Sequence, residues 1–294
     1  MAGGEVKQST IARPIEWDGL GLHSGIPVRV EMSPSAANSG IVFVRAGEVA
    51  GADVEIPALH GSLYSGSRAT TLAANAGGAR EARIATVEHL LATLYSLEID
   101  NLRVRVDGPE LPAMDGSARP LVDRVNAAGR EHLPADRGAV TIFESVEIQE
   151  SGCWIRAEPA DRLQLTYSID FDHPMIGCQT LALRDFDRAC FARELASART
   201  FGFLHEWEAL RSAGLARGGS LENTVVLDDE GVLNEDGLRF PDEFVRHKVV
   251  DLIGDLALLG APLRAHVSVE GGGHALHHRL VRAIAELATP AHSG

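Results

Sequence analysis

Apolar and polar residues alternate along much of the first third of the chain. Ile26-Pro-Val-Arg-Val-Glu-Met and Gly40-Ile-Val-Phe-Val-Arg each put every second residue on one face, the period of a strand, with turn residues between them. Residues 86–97, Thr-Val-Glu-His-Leu-Leu-Ala-Thr-Leu-Tyr-Ser-Leu, change to a helical period with Val87, Leu90, Leu91 and Leu94 on one side. Alternation returns in Asn101-Leu-Arg-Val-Arg-Val-Asp, a Pro/Gly-rich loop follows from Gly108, and a second helical pattern covers about 117–129. The polar, breaker-rich stretch Glu131-His-Leu-Pro-Ala-Asp-Arg-Gly reads as a domain boundary. Beyond it come strand patterns near 139–149, 153–158, 163–170 and 264–270, and helices near 187–197, 205–213, 242–259 and 274–288. Both halves run strands, helix, strand, helix. The pattern therefore predicts an α+β fold of two domains, 1–133 and 138–294, each packing helices on a β-sheet layer. No sequence repeat between the halves is strong enough to name.

One helix carries more than a packing pattern. In Arg246-His-Lys-Val-Val-Asp-Leu-Ile-Gly-Asp255, steps of about 100° per residue bring His247, Asp251 and Asp255 within roughly 80° of one another. Val249, Leu252, Ile253, Leu256 and Leu259 cover the opposite side. An imidazole and a carboxylate at i and i+4 form half of a metal site, or else a solvated polar face. A third ligand must come from elsewhere, and His89 is the natural donor. Taken alone, Glu88-His89 is a polar pair at a helix terminus; it is not the H-E-x-x-H motif, because Thr93 stands four residues after His89. A site of two imidazoles and a carboxylate would leave a fourth position open, as catalytic zinc requires.

Composition narrows the function classes. Hydrophobic residues make up 45% and charged residues 23%, a soluble globular profile. The net charge of −14 argues against nucleic acid, whose phosphates are held by clustered Lys and Arg. Cys153, Cys178 and Cys190 have no C-x-x-C spacing and read as free thiols of a reducing compartment. The first eight residues lack the apolar run of a signal peptide, and no stretch approaches a membrane span. The expectation is a cytoplasmic protein with no obligate protein partner evident.

Three further segments carry candidate chemistry. Gly271-Gly-Gly-His274-Ala-Leu-His-His follows a strand, so it is either a simple turn with a capping His or a close backbone approach at a helix start. His274 would sit at a helix N-terminus that disfavours imidazolium unless a carboxylate compensates, and Asp255 could be that carboxylate. His277 and His278 read as solvent-facing. Ser197-Ala-Arg-Thr200-Phe-Gly-Phe offers a hydroxyl beside two aromatics, as an oxyanion contact or an ordinary turn. Leu215-Ala-Arg-Gly-Gly-Ser-Leu-Glu-Asn-Thr-Val-Val suits close backbone packing or a narrow apolar channel.

Together these segments resemble the UDP-3-O-acyl-N-acetylglucosamine deacetylase family, zinc amidases of lipid A synthesis. The resemblance runs in order through Gly19-Leu-Gly-Leu-His23-Ser-Gly, Thr86-Val-Glu-His-Leu-Leu-Ala, Asp100-Asn-Leu and Pro109-Glu-Leu-Pro-Ala-Met-Asp-Gly-Ser-Ala. It continues through Asp170-Phe-Asp-His-Pro, Ala198-Arg-Thr-Phe-Gly-Phe, Val232-Leu-Asn-Glu-Asp-Gly-Leu-Arg-Phe, Glu243-Phe-Val-Arg-His-Lys-Val-Val-Asp-Leu-Ile-Gly-Asp and Gly273-His-Ala-Leu. It implies that His89, His247 and Asp251 bind Zn2+, a set that suits Fe2+ as well. It further implies that Glu88 is the general base, and that His274 is a protonated partner oriented by Asp255. Lys248 and Thr200 would contact substrate or its developing oxyanion, and Phe201 would pack on the sugar. Phe203, Trp207, Ala216 and Gly219 would line an acyl-chain passage, with His23 near the same cleft. The implied fold is two similar α+β domains with the site between them. The implied substrate is an acylated UDP-sugar, with another N-acetyl amino sugar as the alternative. Two positions depart from the family pattern: Gly271 and Phe143 stand where basic residues are usual, and both are candidate losses of contact to the nucleotide diphosphate or the sugar.

Overall fold

A computed structural model of the chain describes residues 6–49, 52–64, 68–75 and 81–287. Residues 1–5 and the last residue of the 274–288 helix pattern lie outside the described residues. The first half is built on a five-stranded sheet in the order Ile15–Leu20, Pro27–Pro34, Leu102–Val106, Ile41–Val49, Ala52–Pro57. The main sheet of the second half runs Val146–Glu150, Cys153–Pro159, Leu263–Glu270, Gln164–Phe171, Gly177–Leu183. The two orders are the same: the first two strands, then the last, then the third and fourth. In both, the third strand lies parallel to the last, while the remaining neighbours are antiparallel. A parallel pair cannot be joined by a hairpin, so each half needs a crossover. The crossover helices are α1 (Glu88–Ser96) in the first half and α5 (Glu243–Leu256) in the second. Each last strand is followed by a second helix, α2 (Arg119–Ala128) or α6 (His274–Leu287). The duplication is one of topology; no shared residues announced it.

The central strands read as the sequence pattern requires. Leu102–Val106 alternates buried and exposed positions, and Leu263–Glu270 buries Leu263, Ala265, Val267 and Val269. The crossover helices are different, because they are covered on nearly every side. In α1 all residues from Glu88 to Leu94 are buried, and α5 exposes only the flank carrying Arg246 and Lys248. Full burial of each Leu, Val or Ile in this layer contributes about 1.5–3 kcal/mol. α1 and α5 pack on each other, and at Gly254 the backbone of α5 meets that of Glu88. A Cβ at Gly254 would stand 2.7 Å from the Glu88 carbonyl carbon and 2.8 Å from its Cα, inside van der Waals contact. Only glycine lets the two backbones cross so closely there.

Several readings of the sequence change. The polar stretch read as a domain boundary lies mostly in the strand Arg130–Asp136, which pairs antiparallel with Lys7–Ile11. Its burial does not alternate cleanly, and its partner lies more than a hundred residues away, so local pattern could not reveal it. The stretch 139–149 is two strands, Val140–Thr141 and Val146–Glu150; the first pairs with the start of Leu263–Glu270. Further strands at Ala52–Pro57, Thr71–Asn75, Gly177–Leu183, Phe201–Phe203 and Val225–Leu227 went unread. The pattern near 187–197 forms α3 (Arg188–Cys190), capped by the Asp187 side chain accepting from the Cys190 N–H at 2.7 Å, and continues as a π turn over Phe191–Leu195. The pattern near 205–213 forms α4 (Leu204–Ser212). No described helix is long and apolar enough to cross a membrane.

Gly254→Ala should destabilise the fold by about 1–3 kcal/mol, the usual cost of forcing an extra methyl into a packed contact. Urea denaturation checks this, and a loss below about 0.5 kcal/mol would show that the helices can separate without penalty.

Candidate active site

α1 and α5 bring Glu88 and His89 opposite His247 and Asp251. The His89 and His247 Nε2 atoms are 3.3 Å apart, His247 Nε2 is 3.3 Å from Asp251 Oδ1, and His89 Nε2 is 3.6 Å from the same oxygen. Ligand atoms about 2.0–2.1 Å from a tetrahedral ion of zinc's size are separated by roughly 3.3–3.4 Å, so this triangle fits such an ion. All three residues are buried. His247 Nδ1 donates to the Ala198 carbonyl at 3.0 Å, which leaves its Nε2 as the ligating lone pair. Asp251 divides its oxygens: Oδ1 faces the imidazoles, while Oδ2 accepts from Lys248 Nζ at 3.1 Å.

Ala198 is itself held in place. The next residue, Arg199, is buried and donates from its backbone N–H and Nε to Glu243 Oε1, both at 2.9 Å. Its Nη2 donates to the Gly237 carbonyl at 2.6 Å, and Glu243 Oε2 accepts from the Arg239 N–H at 2.6 Å. Glu243 opens α5, where a carboxylate is favoured by the helix dipole. This buried pair fixes the segment carrying both Ala198 and Thr200. The sequence displayed both residues, yet nothing in their spacing joined them.

Charge in the site is set by burial and close partners. Burial holds His247 down to about 4, against the pull of Asp251, so its ring is neutral near pH 7. His89 goes the other way: burial opposes its charge, but Asp251 and Glu88 outweigh it and raise the imidazole above its ordinary 6.5. Glu88 is pushed up by burial, only partly offset by His274 and His89. Its Oε2 accepts from the Thr70 N–H at 3.0 Å. Burial works against a charged His274, but Asp255, by charge and hydrogen bond, with Asp251 and Glu88 beyond it, carries that ring up to about 10. Asp255 stays well below the usual carboxylate range despite burial, because His274, His277 and His278 donate to it.

His277 and His278 therefore correct the sequence reading. Both are buried, and each presents a ring nitrogen to Asp255, at 2.9 and 3.1 Å. Their face of α6 is polar because it meets a buried carboxylate, not because it meets water. Asp255, His274 and His277 also bring three ligating atoms together. The nitrogens in that group already donate to one carboxylate, which leaves no lone pairs for an ion.

A cavity of about 500 Å³ opens beside these groups. Of the residues singled out from the sequence, His23, Glu88, His89, Thr200, Phe201, Phe203, Trp207, Ala216, Gly219, His247, Lys248, Asp251 and His274 all line it. Asp255 alone stands behind the wall, 2.7 Å from His274 Nδ1. Phe171, Phe201 and Phe203 form an aromatic cluster, with Lys248 Nζ 5.7 Å from the Phe201 ring centroid. Gly219 faces Trp207, whose indole would stand 3.1 Å from a Cβ there. Thr200 is fixed by its N–H to the Gly116 carbonyl at 2.8 Å; Gly116 has φ 80° and packs against the Asn223 backbone, a place for glycine alone. Arg68, Thr86, Phe171 and Glu206 also line the cavity and were not selected from the sequence, although Thr86 and Phe171 lie within quoted motifs.

The two departures separate. Gly271 has φ 67°, and a Cβ there would stand 2.8 Å from Cys153 Sγ, so a long basic side chain is excluded by backbone and neighbour together. Phe143 follows Val140–Thr141, which pairs with Leu263 and Arg264 at the opposite end of that strand from Gly271. It is 89% exposed and does not line the cavity.

Comparison with known proteins agrees with this geometry. The family model described as LpxC, UDP-3-O-acyl N-acetylglycosamine deacetylase, matches residues 8–286. The chain is 45% identical over 277 residues to the UDP-3-O-acyl-N-acetylglucosamine deacetylase of Anaeromyxobacter sp. (strain Fw109-5), covering 94% of this chain and 88% of the relative. The protein of that name from Myxococcus xanthus (strain DK1622) is 44% identical over 284 residues, 97% and 88% of the two chains. The one from Phenylobacterium zucineum (strain HLK1) is 45% identical over 278 residues, 95% and 93%. With a match of this length and identity, the chain belongs to the UDP-3-O-acyl-N-acetylglucosamine deacetylase family.

Proposed function

We propose that this protein hydrolyses the N-acetyl group of a UDP-3-O-acyl-N-acetylglucosamine, releasing acetate and a free glucosamine amine at an early step of lipid A synthesis. The observation that carries this reading is the triangle of His89, His247 and Asp251, set beside a buried Glu88 and a charged His274 in one cavity. Zinc is the ion we assign, held by those three residues; when bound, it polarises a carbonyl and lowers the pKa of a water molecule. Fe2+ suits the same donors.

Glu88, its carboxyl raised by burial, takes the proton of the attacking water. The Thr200 hydroxyl and Lys248 ammonium lie on the cavity wall where the tetrahedral oxyanion develops; a preorganised donor of this kind contributes roughly 2.7–4 kcal/mol. His274 Nε2 is 3.9 Å from Glu88 Oε1 and 4.0 Å from Asp251 Oδ2, facing the reacting groups while Nδ1 is engaged by Asp255. That nitrogen then protonates the departing amine. Phe201 stacks on the sugar, and Phe203, Trp207, Ala216 and Gly219 accept the acyl chain beside His23. Lys248 and Arg68 are the Lys and Arg residues lining the cavity, and they take up the substrate's negative charge in place of a base at Gly271. We further read the halves 1–133 and 138–294 as the two domains, since no described strand from Lys7 to Asp136 pairs with one from Val140 onward, although Arg130–Asp136 runs three residues past the first bound. Free thiols at Cys153, Cys178 and Cys190 are consistent with a cytoplasmic protein.

Zinc-loaded protein given the acylated UDP-sugar should release acetate, read by mass spectrometry; turnover only of another N-acetyl amino sugar would overturn the substrate assignment. Glu88→Gln should lower kcat by about 10²–10⁴-fold with one metal still bound per chain. Normal acetate release by that variant would remove Glu88 as the base. Zinc affinity should fall as pH falls, by up to about tenfold per unit, because a proton on His89 competes with the ion. Since His89 is raised above 6.5, the loss begins at higher pH than for an ordinary imidazole, whereas His247 contributes only near pH 4. Competition with a chelator across pH measures it, and a flat profile down to pH 6 would contradict this charge assignment.

A further inference from the structure

Asp255 is fully buried, and four donors converge on it. Thr70 Oγ1 and His278 Nε2 meet Oδ1, while His274 Nδ1 and His277 Nδ1 meet Oδ2 at 2.7 and 2.9 Å. The three rings stand at i, i+3 and i+4 on the first turns of α6, which brings them to one face. His274 opens onto the cavity, but His277 does not line it, and nothing in the proposed reaction uses it.

The other side of His277 is equally committed. Its Nε2 is 3.0 Å from the hydroxyl of Tyr167, a fully buried residue on the interior strand Gln164–Phe171. A ring nitrogen facing a carboxylate oxygen must carry its proton, so Nδ1 is the donor toward Asp255. Nε2 is then free to accept, and the phenol, pushed well above its ordinary value by burial, keeps the proton it donates. Burial also lowers His277 itself, although Asp255 pulls the other way. The result is one directed chain, from Tyr167 to His277 to Asp255, with His274 as the second donor to the same oxygen.

We propose that His277, its tautomer fixed by the Asp255 carboxylate and its far nitrogen held by the Tyr167 hydroxyl, is a positioning residue that acts through Asp255 to hold His274 in one orientation toward the reacting atoms. This rests on the reading of His274 as the acid. Two Nδ1 donors sharing Oδ2 leave the carboxylate one rotation that satisfies both, and the sheet strand carrying Tyr167 anchors that rotation. Remove the His277 donor, and Asp255 can turn toward Thr70 and His278, taking the His274 ring with it.

The test uses zinc holoenzyme and the acylated UDP-sugar. His277→Leu removes the donor, while His277→Asn keeps an amide N–H near the place of Nδ1. The Leu variant should lose about 10–100-fold in kcat with KM within about twofold, the scale on which outer partners of a site act. The Asn variant should recover most of that loss. Equal losses in both, or a change confined to KM, would reduce His277 to a packing residue and overturn the proposal. Side-chain ¹⁵N NMR gives a second readout independent of turnover and of whether the Leu variant folds. Wild-type His277 should show the neutral Nδ1–H form, and Tyr167→Phe should keep that form while shifting the Nε2 resonance, which loses its hydrogen-bond donor. An Nε2–H or doubly protonated His277 in the wild type would also overturn the proposal. Absence of wild-type turnover would instead strike at the proposed function, leaving the tautomer experiment to judge the hydrogen-bond chain by itself.

Discussion

The structure depends on the crossing of α1 and α5 at Gly254. Each helix is the crossover between parallel strands of its own sheet, and each would be an ordinary buried element if the other were absent. Because residue 254 has no side chain, the Glu88 backbone settles directly against α5. Ridges-into-grooves packing ordinarily keeps helix axes 8–10 Å apart, and small residues set the lower end of that range. The short approach lets His89 reach His247 and Asp251, whose side chains leave α5 two turns and one turn before the crossing, respectively. Geometry at the ion site is therefore set by a residue that touches no reactant.

Such a site needs buried charge, and the protein balances it locally. Glu88, Asp251 and Asp255 are all buried in a molecule whose net charge is already −14. Isolated, each carboxylate would be driven toward its neutral form by desolvation. Asp251 remains ionised because His247, Lys248 and His89 surround it, and Asp255 because imidazoles and a threonine hydroxyl donate to it. Glu88 has the weakest compensation of the three, and its carboxyl is the one that rises. One cluster thus contains a carboxyl raised by burial and an imidazole held charged by its carboxylates, set apart by their partners and not by distance.

How much of this could be read in the sequence follows from the range of each signal. His247 and Asp251 were legible because an i, i+4 pair is local to one helix, and the alternation of Leu102–Val106 was legible for the same reason. His89 was already the natural third donor on residue type alone, and the family resemblance added a role for Glu88 that spacing could not supply. His277 and His278 were misread because a helical wheel assigns polar residues to water, and it has no means of knowing that Asp255 lies beneath. Thr70 carried no signal at all; it matters only because the chain returns to place it between Glu88 and Asp255. The matched strand orders of the halves were likewise invisible, since topology is conserved by where apolar positions fall and not by which residues fill them.

The strand Arg130–Asp136 reaches beyond packing. Its pairing with Lys7–Ile11 means that the first sheet system closes only when the end of the first half returns to its beginning. A contact between Lys7 and Asp136 spans most of the half, so closing it costs more chain entropy than closing a local hairpin. On a ribosome, the first half cannot finish until this strand has emerged, by which time the second half is already under synthesis. The segment that joins the halves is also the latch that completes one of them, and the order of assembly is written into its position.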